Sequence, residues 1–124
     1  MKFILLVYSE PALVDALPPA EFDTRLRACI QKADSMRGEG RLSDSQMLET
    51  TAAARSVRVR QGRGTVVDGP FAETKEMLAG FNIIEAADIE EATRMAMEFP
   101  WTETGCIEVR PVVDFESVRA RVGA

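Results

Sequence analysis

Apolar residues occupy both parities of Lys2-Phe3-Ile4-Leu5-Leu6-Val7-Tyr8, the pattern of a central β-strand covered on both faces. Ser9 to Leu17 mixes small, acidic and proline residues and reads as a loop with room for a short helical turn. Pro18-Pro19 suits a helix start, because proline at the first helical position has no amide hydrogen to lose. From Ala20 to about Arg37, Phe22, Leu26, Cys29, Ile30, Ala33 and Met36 recur at three- and four-residue spacing, one stripe of an amphipathic helix that Gly38-Glu39-Gly40 then stops. Arg41 to Leu48 is a weaker strand, with Leu42, Asp44, Gln46 and Leu48 expected on one face and Ser43, Ser45 and Met47 on the other.

Arg55 to Gln61 alternates cleanly, Val57 and Val59 against Ser56, Arg58 and Arg60. Gln61-Gly62-Arg63-Gly64 reads as a turn and Thr65-Val66-Val67 as the returning strand of a hairpin. Ala79 to Ala86 is a strand by its β-branched and aromatic content. Asp88 with Glu91 has the form of a helix cap and its box partner, followed by the stripe Ile89, Ala92, Met95, Ala96 and Phe99 and ended by Pro100. Cys106 to Val113 alternates as a last strand, and Phe115 to Val122 has two readings, a short helix docked through Phe115 and Val118 or a frayed tail. Without its hairpin this order is β-α-β-β-α-β, an α+β ferredoxin-like plait in a single domain spanning 1–124. Both helices of a plait cover one sheet face, yet Phe3 to Val7 supplies apolar residues to both. The expected partner for the open face is a second copy, giving a homodimer packed sheet against sheet.

Composition narrows the chemistry. A net charge of −5 and a pI near 4.8 disfavour nucleic acid as a partner. The apolar start is too short for a leader and no later run would span a bilayer, so a cytoplasmic location away from membranes is expected. The chain contains no histidine, which removes Ser-His-Asp and Cys-His catalysis and most zinc sites. Two cysteines without close spacing suggest neither a disulfide framework nor a metal site, and neither cofactor nor metal is expected. Cys29, on the helix stripe, should be inert, and Cys106 the more accessible thiol. Gly62 and Gly64 precede a strand where a dinucleotide fingerprint needs a helix.

Chemistry concentrates in Asp68-Gly69-Pro70-Phe71-Ala72-Glu73-Thr74-Lys75-Glu76. Asp-Gly and Gly-Pro are turn formers, and an Asx-turn would account for Asp68 without function. The functional alternative makes Asp68 a general base, with Lys75 holding it ionised or binding an anion. Glu73 or Glu76 then serves as a second carboxylate, and the guanidinium groups of Arg58, Arg60 and Arg110 on polar strand faces suit a carboxylate or phosphate. The plain reading of these arginines is a charged sheet edge or a dimer-interface pair with Glu108 or Glu49. Tyr8 ends the first strand, where its hydroxyl could reach a cleft or merely stay wet above a half-buried ring. Trp101, after Pro100, is placed to plug the core rim or line a pocket.

These nine residues, with the Lys2–Tyr8 start, Val57-Arg58-Val59-Arg60 and Val109-Arg110-Pro111-Val112, resemble the YCII-related proteins, in particular their DGPF-motif branch. The resemblance implies a ferredoxin-like dimeric α/β barrel. Some such proteins are thought to use a His–Asp pair, and one branch holds a dehydrochlorinase; the lack of histidine here removes that base. DGPF proteins also resemble partners encoded beside extracytoplasmic-function sigma factors. Three functions follow as expectations: foremost a small-molecule domain binding or sensing a polar or anionic ligand. The others are a cofactor-independent lyase or isomerase using Asp68, and a regulatory interaction module linked to sigma-factor signalling.

Overall fold

A computed structural model describes residues 1–124. Six strands and four helices follow one another as β1 (Lys2–Ser9), α1 (Pro11–Asp15), α2 (Pro19–Gly38), β2 (Leu42–Met47), β3 (Arg55–Arg60), β4 (Arg63–Asp68), β5 (Met77–Glu85), α3 (Ile89–Met97), β6 (Gly105–Pro111) and α4 (Phe115–Val122). Short 3₁₀ turns at Thr51–Ala53 and Pro100–Glu103 complete the order. Four strands form one antiparallel sheet in the order β2-β5-β1-β6, compatible with a ferredoxin-like plait, and β3 and β4 form a separate two-stranded sheet.

Alternation decides which side chains meet. Phe3, Leu5 and Val7 of β1 are buried, and the register sets them beside Ile84, Asn82 and Gly80 of β5 and Pro111, Val109 and Ile107 of β6. This face carries α2 and α3, which contribute Cys29, Ala33 and Met36, and Ala92, Met95 and Ala96, to a core closed by Leu42 and Phe99. Ile4 and Leu6 point the other way, level with Ile83 and Phe81, and are only half-buried. Asp44 and Gln46 of β2, and Glu108 and Arg110 of β6, flank this stripe.

Local signals hold where they rest on one element. Asp88 Oδ1 accepts the Glu91 amide at 2.8 Å, while Glu91 Oε2 accepts the Ala87 amide at 3.1 Å, so the start of α3 is capped from both sides. At the end of α2, Gly40 takes φ 75° while Arg41 N donates to Met36 O and Gly40 N to Arg37 O, the paired bonds of a Schellman stop.

Two expectations change. A bulge between Leu42 and Asp44 adds one residue to β2 and flips its parity. Leu42 therefore shares the helix-covered face with Ser45 and Met47, and Asp44 and Gln46 turn to the open face, so the expected grouping of Leu42 with Asp44 and Gln46 fails. The tail is helical, but Phe115 is 69 % exposed and only Val118 is half-buried, so no dock through Phe115 forms within the chain.

Candidate functional site

Helix α2 leans on β2 and on the Pro100–Glu103 turn rather than lying along β1 and β5. The gap it leaves is a cavity of about 580 Å³. Phe22, Leu26 and Ile30 descend from α2, Val7 and Met47 rise from the sheet, and Trp101 closes one end with its ring 5.7 Å from that of Phe22. Arg25 holds this end together by bridging Glu21 on its own helix at 2.9 Å and Glu103 beyond Trp101 at 2.8 Å.

Polarity is concentrated at two places. On the sheet, Asn82 is only 7 % exposed, and its Oδ1 accepts the Ser45 hydroxyl at 2.6 Å. Asn82 borders the cavity, and its Nδ2 makes no hydrogen bond to the chain. At the mouth stand Asp15, Asp34 and Glu49 against one cation, Arg37, whose Nη1 is already 3.2 Å from Asp34 Oδ1. The lining therefore carries excess negative charge. Cys29 borders the same space; burial is the main reason its thiol is pushed up to about 11, with hydrogen bonding from Trp101 pulling the other way.

None of Asp68, Lys75, Tyr8, Arg58, Glu73 and Arg110, the candidate catalytic and ligand-binding residues, borders this cavity, whereas Trp101, expected to plug the core rim or line a pocket, does. Asp68 ends β4 with its carboxylate 3.6 Å from Arg55 Nε and 91 % exposed; it accepts no backbone amide, so the Asx-turn is not formed. Lys75 turns back to the body and pairs with Glu10 at 3.2 Å, strapping the 69–76 loop to the end of β1. Asp68 and Lys75 thus each have a different partner. Glu73 is exposed in the same loop. Arg58 borders a shallow depression of about 160 Å³ with Ser56, Thr65, Val67, Pro70 and Phe71. Arg110 pairs with Glu108 on the open sheet face, where Tyr8 is half-buried opposite Leu78 and Cys106.

Besides Trp101, the sequence held one further signal for the cavity. Asn82 is a polar residue at a core position of an otherwise apolar strand, flanked in parity by Gly80 and Ile84. Such a residue needs a partner, and the chain supplies only half of one.

A family model described as the YCII-related domain matches residues 1–116. An uncharacterised protein of Rhizobium meliloti (strain 1021) is 33% identical over 114 residues, covering 90% of this chain and 92% of that relative.

Proposed function

We propose, from the premise that the chain belongs to the YCII-related domain family, that it is a small-molecule binding or sensing domain whose ligand occupies the cavity between α2 and the sheet. The observation that carries this is the cavity itself, about 580 Å³ with mainly apolar walls, a size and character typical of ligand pockets. Its chemistry sets the ligand class. Aromatic and aliphatic walls favour a flat or branched apolar body, and the free Asn82 amide hydrogens favour a carbonyl, ether or hydroxyl oxygen on it. The carboxylates at the mouth disfavour anions. The ligand is accordingly an uncharged or cationic apolar molecule rather than the anion that Lys75 or Arg58 would have recruited.

Fluorescence titration with neutral Nile red and anionic ANS tests this. Saturable binding of Nile red, weaker binding of ANS, and loss of the Nile red signal in Leu26→Trp with an unchanged melting curve are expected. Equal Nile red affinity in wild type and Leu26→Trp would remove the cavity as the site.

The stripe Ile4, Leu6, Phe81 and Ile83 on the uncovered sheet face supports a second element of the reading, a homodimer packed sheet against sheet as a dimeric α/β barrel. Leu6→Glu would place a charge in that contact, and sedimentation equilibrium should report a monomer. An unaltered mass in this variant would exclude the sheet face as the interface.

A further inference from the structure

The β3–β4 hairpin is an arm with at most slight contact to the other elements of its own chain. Its anchorage is local: Gly69 N donates to Ala54 O at 2.7 Å, and the Ser56 hydroxyl to Gly69 O at 2.9 Å. A two-stranded ribbon alone in water is marginal at best. This one is nonetheless built for pairing, with Gln61 and Gly62 at φ 52° and 76° making the left-handed turn that matches strand twist.

Its surface is unlike that of a solvated loop. Val57 pairs across to Val66, with Val59 beside them, on one side; Val67 and Phe71 lie on the other. These five are 61–80 % exposed. Around them the segment 55–68 holds four arginines and one aspartate, a charge of +3 in a chain whose total is −5, which leaves −8 on the remainder.

We propose that this arm is a clasp for a second copy of the chain, laying its valines and Phe71 against the partner's body while Arg58, Arg60 and Arg63 meet that body's carboxylates. Two properties select this occupant. A basic arm on an acidic body is complementary to any other copy of the same body, and a two-fold exchange of arms satisfies both copies at once. Nucleic acid would use the arginines but leave the valines wet, and its phosphates would be repelled by a body of charge −8. The clasp is independent of the cavity ligand and shares with the sheet-face pairing only the identity of the partner.

Sedimentation equilibrium of the full chain across a range of concentrations, with melting curves as a control for folding, provides the test. Val57→Asp combined with Val66→Asp should leave the melting curve of the body in place and weaken dimerisation by about tenfold or more. Arg58→Glu combined with Arg60→Glu should act in the same direction, with an effect that shrinks as salt is added. A wild-type chain that stays monomeric, or a dimer whose affinity neither pair of substitutions changes, overturns the clasp. So does binding of short duplex DNA that the arginine variants abolish without altering mass. Dimer loss in Leu6→Glu alone overturns the clasp and keeps the sheet contact; loss in the arm variants alone supports the clasp and removes the sheet contact.

Discussion

Gly105 begins β6 hard against the end of β1, where a Cβ would stand 1.9 Å from Tyr8 O and 2.8 Å from Tyr8 C. Backbone atoms cannot swing aside as a side chain can. Gly105→Ala should therefore push β6 off β1 and cost about 3 kcal/mol, read as a lower urea midpoint with an unchanged slope. Glycines with nothing near them, such as Gly64, should accept alanine with a far smaller loss. The two cysteines separate in the same way by surroundings. Cys106 is exposed and Cys29 buried, so iodoacetamide should modify one thiol per folded chain and two in denaturant. Because burial raises the Cys29 thiol from 9.0 to about 11, the folded chain keeps that proton after the unfolded chain has released it. The thiol's contribution to stability is whole below pH 9.0 and lost as pH climbs to about 11. Cys29→Ala should flatten the alkaline fall in the unfolding midpoint over that window; an equally steep fall in both proteins would contradict the assignment.

Elements differ in how much a cap is worth. Asp88→Ala removes the acceptor for the Glu91 amide at the start of α3, a helix whose Ala92, Met95 and Ala96 lie in the core. Global stability should drop by about 1 kcal/mol. Asp114 caps α4 in the same manner, and hydrogen bonding from Ser117 is the main reason its carboxyl sits below the usual 3.8. Yet α4 buries no residue, so Asp114→Ala should lower helicity by circular dichroism and leave the global midpoint where it was. Legibility follows the same line between local and distant causes. The stripe from Phe22 to Met36, the alternation of Val57 and Val59, and the Asp88–Glu91 box each need only their own segment, and each is found. The parity of β2 depends on a bulge opposite Ile83 and Ile84, which no run of six residues announces. Phe115 looks like an anchor, but its contact would have to come from elsewhere in the chain, and none does.

For the molecule as a whole, the charged segment at Asp68 drew attention because charge is visible in one dimension, whereas a cavity is not. Phe22, Leu26 and Ile30 read as ordinary core filler, and only the lean of α2 away from β1 and β5 turns them into walls. Asp68 and Lys75 lie seven positions apart in sequence, yet the first pairs with Arg55 and the second with Glu10. Turn geometry sent them in different directions, beginning at Gly69 with φ 98°. What survives from sequence to structure at this scale is the plait-compatible order of strands and a hairpin set into it between β2 and β5.

That insertion gives the chain a natural port. Ala54 and Gly69 are hydrogen-bonded to each other at 2.7 Å, so the two stubs meet like facing residues of a strand pair, about 5 Å apart at Cα. Any guest segment whose own ends lie that close, a different hairpin or a small reporter domain, can replace residues 55–68 without asking the sheet or the cavity walls to move. If ligand entry shifts the Leu48–Thr51 stretch that lines the cavity just before the first stub, a fluorophore grafted there would turn the domain into its own gauge.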